Sequence, residues 1–189
     1  LQKHGVKEVV LLLHKGETEA QKILGDGAKY GTKITYLWQG EESIGTAHTV
    51  SLAKKFVGED FFFVLYCHVV ADLDLMDLAS YHADAGVTAT LALTSIEDPS
   101  PYGAVQMRGE KIVGFTEKPK EKEGVSRVIS AGIFCLSPEI FEYIPKQKTA
   151  SLERDVFPGL AKEGKLAGYM FEGKWCNVRN RIYRSGKKN

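Results

Sequence analysis

The sequence predicts an α/β fold, a mostly parallel sheet with helices on both faces. Continuous apolar runs of strand length recur at "KEVVLLLH" (7–14), "DFFFVLYC" (60–67) and "VTATLALTSI" (87–96), the pattern of strands buried on both sides. Stretches of helical spacing closed by glycine lie between them, so the first half of the chain alternates strand and helix.

Taken in order, the opening residues read as the end of a helix. With Leu rather than Met in first place, the chain is expected to be a piece of something longer. "KEVVLLLH" is a buried strand and "GETEAQKILGDG" a short helix stopped by glycine. "TKITYLW" (32–38) alternates as a strand. "GTAHTVSLAKKFVG" places Ala47, Val50 and Ala53 on one helical face, with Gly58 at its end. "DFFFVLYC" follows as a strand. "DLDLMDLASYHADAG" is a helix with acidic residues in its first turn, where the helix dipole favours them. After "VTATLALTSI" the pattern loosens. "YGAVQM" and "KIVGFTEKP" predict a hairpin, "RVISAGIFCLS" a strand and "PEIFEYI" a short helix. "SLERDVFPGLAKEG" reads as a longer helix interrupted by Pro158, and "LAGYMFEG" as a late strand. No repeat, low-complexity segment or linker divides the chain.

Composition bounds the function. With 25 basic and 24 acidic residues the net charge is +1, and no long-range field points to nucleic acid or a membrane surface. No apolar run approaches the roughly 20 residues that span a bilayer. Cys67, Cys135 and Cys176 are odd in number and contain no Cys-x-x-Cys, which excludes a disulfide framework and suits a reducing cytoplasm. Five basic residues, Arg179, Arg181, Arg184, Lys187 and Lys188, crowd the C-terminus, which reads as a solvated tail. No Gly-x-Gly-x-x-Gly, Walker A, Gly-x-Ser-x-Gly or His-Glu-x-x-His motif occurs.

In a parallel sheet, ligands gather beyond the carboxyl ends of the strands. Cys67-His68 stands at such an end, and the pair is either a functional site or a packed strand terminus. "SIGTAH" (43–48) opens a helix whose first N–H groups could meet a base edge or a phosphate, although capping alone also explains a Gly-Thr start. In "FTEKPKEK" (115–122) proline ends a strand, and Lys118 is either a phosphate anchor or part of a charged surface turn. Gly132 in "SAGIF" (130–134) marks a bulge or a close approach by a ligand or another backbone.

In order and spacing, these segments resemble the sugar-1-phosphate nucleotidyltransferases, which join an NTP to a sugar 1-phosphate and release pyrophosphate. The resemblance runs from "HGVKEVVLLLH" through "GDGAKYGTKITYLWQGEESIGTAHT", "EDFFFVLYCHVVADLDLMDL", "ATLALTSIEDPSPYGAV", "IVGFTEKPK" and "ISAGIFCLSPEIFEYIP" to "SLERDVFPGLAKEGKLAGYMFEGKW", ending near Trp175. It implies a Rossmann-like domain over residues 1–178 followed by a basic tail over 179–189. The family's first strand and its glycine-rich triphosphate loop are expected upstream of Leu1. It implies that Gly45, Thr46 and Ala47 border the nucleobase. Gly103, Glu117, Lys118, Ser130, Ala131 and Gly132 then line the sugar-phosphate pocket, with Glu153 as a further contact. The implied ligands are UTP, dTTP or GTP and a sugar 1-phosphate. Mg²⁺ is the implied cofactor, the cytoplasm the location, and a homo-oligomer an open possibility.

Two departures bear on chemistry. Where the family strand ends in Gly-Asp, with the aspartate on Mg²⁺, this chain has Cys67-His68. Where a late Trp-x-Asp supplies the second ligand, it has Asn177, a replacement with precedent in the N-acetylglucosamine-1-phosphate uridylyltransferases. Mg²⁺ takes an octahedron of oxygen ligands, whereas imidazole suits zinc, copper or nickel. His68 with Asn177 therefore predicts weak Mg²⁺ binding and impaired catalysis. Three readings stand at this point: a nucleotidyltransferase; a non-catalytic homologue that binds sugar nucleotides or regulates a partner; and a Cys-His metal or redox protein, with Cys176 or His48 as third ligand.

Overall fold

The computed structural model describes residues 1–40, 44–119 and 126–179, together with the backbone of a strand at 182–184. After a 3₁₀ turn at Gln2–His4 closed by Gly5, the chain forms β1 (Glu8–His14), α1 (Glu19–Leu24), β2 (Lys33–Gln39), α2 (Thr46–Leu52) and β3 (Phe62–Leu65). It continues through β4 (Val69–Ala71), α3 (Leu75–Ala85), β5 (Ala89–Ser95), the hairpin β6 (Gly103–Arg108) and β7 (Lys111–Glu117), and β8 (Val128–Leu136). The last part holds α4 (Ile140–Tyr143), a π-turn at Leu152–Val156, α5 (Phe157–Lys162), β9 (Leu166–Met170), β10 (Trp175–Asn177) and β11 (Ile182–Arg184).

Alternation on the central strand sets the layers. On β8, Ile133 and Cys135 face one core while Phe134 and Leu136 face the other. The first core takes Leu75 and Leu78 from α3; the second takes Val50 from α2, Ile140 from α4, and Phe157 and Leu160 from α5. Helices thus cover both faces, as expected for the α/β class. Local sequence explains α3. The Asp74 carboxylate accepts the Met76 N–H at 2.8 Å, Gly86 closes the C-terminus at φ 58°, and Leu75, Leu78, Ala79 and His82 recur on the buried face.

Strand direction is more mixed than the apolar runs suggest. The six-stranded sheet has the order β3-β8-β5-β9-β7-β6. Among the described pairings only β5–β9 and the separate pair β1–β2 are parallel. β8 follows the hairpin and returns antiparallel to both β3 and β5. Of the three apolar runs only β5 is buried along nearly its whole length; β1 and the edge strand β3 are partly buried at most, and the buried central strand β8 is antiparallel, so apolar composition encodes neither depth nor direction. A third sheet, β11-β10-β4, comes from strands of three residues, too short to leave a period in the sequence. Part of the expected basic tail lies here, since Ile182–Arg184 pairs with β10. Pro158 does not interrupt a long helix. The π-turn precedes it and the proline sits in the first turn of α5, where no N–H is needed. Among the described residues no helix is long and apolar enough to cross a membrane.

Candidate functional site

A cavity of about 730 Å³ opens where β3, β7 and β10 end, against the bulge of β8, the start of α2 and the π-turn. Gly45, Thr46, His68, Gly103, Glu117, Lys118, Ser130, Ala131, Gly132, Glu153 and Asn177 all line it. Among the residues singled out from sequence for binding, Ala47 points elsewhere, being fully buried in the core beneath α2. Ser43 and 120–122 of the quoted stretches lie outside the described residues.

The start of α2 differs from the expectation of free N–H groups. Gly45 donates to the Lys148 carbonyl at 2.8 Å, and Ala47 donates to that of Ala150 at 3.0 Å. Those donors are satisfied by protein. Glycine at 45 has a packing reason as well, because a Cβ there would stand 2.0 Å from the Ala150 oxygen. What α2 offers the cavity is the Thr46 side chain, whose hydroxyl donates to Glu153 at 2.8 Å and accepts the Leu152 N–H at 2.9 Å.

Glu153 is the hub of this wall. Its carboxylate accepts from Thr46, from Ser151 at 2.8 Å and from the Tyr66 hydroxyl. Burial, and then the Glu153 charge, hold the Tyr66 phenol well above its usual range. Burial and then Glu153 also raise the neighbouring Glu117 carboxyl, against the opposing pull of Lys118 and Arg154. Lys118, 4.0 Å from Glu117, has a left-handed backbone at φ 48° although Pro119 follows it, a conformation that disfavours any L-residue. The Lys118 N–H donates to the Tyr102 carbonyl at 3.0 Å, so the strain is held by the surrounding structure, as at many ligand sites. Gly132 marks the bulge, and what crowds it is side chains. It sits at φ 76° within a register shift opposite Leu91–Leu93, and a Cβ would crowd Val69 at 3.1 Å and Tyr66 at 3.2 Å.

Cys67 and His68 part company. Cys67 is exposed, while His68 faces the cavity and stacks on Tyr66 with ring centroids 5.7 Å apart. Burial, and then the Arg179 charge, lower the imidazole's proton affinity. Asn177 Oδ1 accepts the Arg179 N–H at 3.0 Å. Neither residue brings a carboxylate, and among the described residues no group of three or more His, Cys, Asp or Glu could hold a metal. The donors present do not fit Mg²⁺, and the Cys-His reading finds no ligand set. Asp74, close to this pair in sequence, is the cap of α3 and lies 3.2 Å from His4. Cys135 is buried, its thiol pushed up to about 12.

Sequence reasoning missed Ser151, Arg154 and Arg179 as cavity residues. Sequence places Arg179 in a solvated tail, and its one signal there is that it stands two residues after Asn177.

Comparison with known proteins follows the same line. The model of the Nucleotidyl transferase family matches residues 1–180. A mannose-1-phosphate guanyltransferase of Yarrowia lipolytica is 35% identical over 179 residues, covering 92% of this chain and 48% of the relative. The mannose-1-phosphate guanylyltransferase catalytic subunit beta of Danio rerio is 32% identical over 183 residues, covering 94% and 50%. The chain thus spans about half the length of the curated relatives it matches. Among solved structures, HddC from Yersinia pseudotuberculosis complexed with GMP-PN has a TM-score of 0.76 at 17% identity, covering 94% of this chain and 75% of that one. UDP-glucose pyrophosphorylase complexed with UDP-glucose has a TM-score of 0.74 at 18% identity, covering 94% and 77%. At such identities the likeness shows the fold.

Proposed function

Because the chain belongs to the nucleotidyl transferase family, among the sugar-1-phosphate nucleotidyltransferases, we propose that its cavity binds a sugar 1-phosphate and the matching nucleotide sugar. The names of the relatives favour mannose 1-phosphate and GDP-mannose over uridine or thymidine ligands. In the family's reaction a sugar-phosphate oxygen attacks the α-phosphorus of the NTP, the bond to the β-phosphate oxygen breaks, and pyrophosphate leaves. Such a step depends on positioning and charge neutralisation.

Each wall has a part in this reading. The Lys118 ammonium neutralises the sugar phosphate as a point charge. The half-buried Glu117 carboxyl hydrogen-bonds sugar hydroxyls. The bulge at Ser130–Gly132 lets the ligand approach the backbone, whereas Gly103 makes room for the Phe115 ring, 2.3 Å from where a Cβ would stand. Glu153, held by three hydroxyls, keeps the wall in shape. With His68 and Asn177 in place of carboxylates, the chain binds its ligand without performing the transfer by itself. A homologue that senses or holds sugar nucleotides is the role that fits.

The observation that carries the reading is Lys118, strained at φ 48° on the cavity wall beside Glu117. Calorimetry with mannose 1-phosphate and GDP-mannose tests it. The protein should bind, and Lys118→Ala should weaken binding about 10- to 150-fold, the worth of a hydrogen bond to a charged group. No pyrophosphate should be released from GTP and mannose 1-phosphate with Mg²⁺ present. Absence of binding at millimolar ligand sinks the proposal. Steady pyrophosphate release would return the chain to the catalytic reading.

A further inference from the structure

Among the described residues three cations line the cavity, Lys118, Arg154 and Arg179, and they are not equivalent. The Arg154 guanidinium is held by protein, donating to Asp155 at 2.8 and 3.1 Å and to the Thr149 carbonyl at 2.9 Å. Lys118 shares its charge with Glu117 at 4.0 Å. Among the described residues no carboxylate forms an ion pair with Arg179, which lies on the cavity wall with His68 and Asn177.

The backbone that carries Arg179 is anchored. Trp175, almost fully buried, donates its indole N–H to the Ala131 carbonyl at 3.0 Å. β10 is paired on both sides, to β4 and β11. The Val178 N–H donates to the His68 carbonyl at 2.9 Å, and the Arg179 N–H to Asn177 Oδ1 at 3.0 Å. A long side chain is thereby launched from a fixed point at the end of the cavity where the donors do not fit Mg²⁺. A guanidinium is always charged, presents a planar fork of N–H donors and grips a phosphate in two places at once.

We propose that the Arg179 guanidinium binds the ligand's phosphate at the His68–Asn177 end of the cavity, so that this chain holds a phosphorylated sugar without a divalent cation. The inference rests on the cavity taking such a ligand. It adds a phosphate anchor that the family resemblance does not supply and assigns the charge-neutralising role to an organic cation.

The test is calorimetric titration of the purified protein with mannose 1-phosphate and GDP-mannose, once in EDTA and once in excess Mg²⁺, on wild type, Arg179→Gln and Arg179→Lys. Wild type should bind equally in both buffers. Arg179→Gln should weaken binding about 10- to 150-fold, and Arg179→Lys, which keeps the charge but loses the fork, should fall between. Thermal melts of the three proteins should coincide, because the side chain is exposed. Binding that requires Mg²⁺, or an Arg179→Gln protein within twofold of wild type, overturns the inference and leaves the cavity reading standing. No binding by wild type in either buffer overturns both.

Discussion

Replacing Gly45 by alanine separates two reasons for a glycine at the start of α2. If the glycine serves a ligand, the substitution harms binding and leaves folding alone. The geometry says otherwise. The new Cβ would lie 2.0 Å from the Ala150 carbonyl oxygen and 2.5 Å from that of Thr149, both backbone atoms that cannot rotate away. Either α2 or the 148–150 segment must move. The N–H bonds of Gly45 to Lys148 and of Ala47 to Ala150, at 2.8 and 3.0 Å, join those two elements and would stretch or break. Overpacking costs about 1–3 kcal/mol, and each lost hydrogen bond about 0.5–1.5 kcal/mol. Together these give a destabilisation of about 2–6 kcal/mol. For a chain of this length each kcal/mol lowers Tm by about 2–4 °C, so a fall of about 4–24 °C is expected. Urea melts should show a lower midpoint at unchanged slope. Gly58→Ala is the control, since nothing lies within 4 Å of a Cβ there and its stability should stay within about 1 kcal/mol of wild type. A Gly45→Ala protein that melts within about 2 °C of wild type would refute the packing account.

Two further predictions concern buried polar groups. Tyr66→Phe removes one of three hydroxyls on the Glu153 carboxylate and should cost about 1–3 kcal/mol in urea melts; burial also raises the phenols of Tyr81 and Tyr169, and ultraviolet titration should show that Tyr66→Phe loses a tyrosine that ionises well above the usual range. His82 is 3% exposed, bonded to Thr90 at 2.8 Å and Ser137 at 2.9 Å, and burial lowers its proton affinity against a smaller opposing pull from Glu139. The unfolded chain takes up that proton below about pH 6.5 while the folded chain resists. Stability should therefore fall with pH below about 6.5, by at most about 1.4 kcal/mol per unit, and level off beneath the lowered folded value. His82→Gln should flatten that window, and an unaltered slope would acquit the histidine.

The elements were legible where one interaction dominates. The strand at Ala89–Ser95, buried except at its last residue, could be read from its apolar run. So could α3, because its cap, its stop and its apolar spacing lie within a dozen neighbouring residues. The short strands β4, β10 and β11 were not legible. Three residues cannot show a period, and what orders them is one another. Most residues that the resemblance implies for a site line one cavity, and the exceptions are instructive. Ala47 sits beside two cavity residues but turns into the core, since neighbours on a helix face different ways. Arg179 looked like tail because only the pairing of β10 with β4 turns it toward His68.

By itself the sequence determined the α/β class, most strands and helices, and the kinship with nucleotidyl transferases. These follow from burial pattern, caps and motif text, all local along the chain. Tertiary structure alone decided the direction of β8, the departure of Cys67 from His68, and the closing of a wall by Thr46 and Glu153, which stand 107 residues apart. Charge is written in each residue, but where a charge stands depends on the fold: the pairing of β10 with β4 and β11 sets Arg179 on the wall of the cavity with His68 and Asn177.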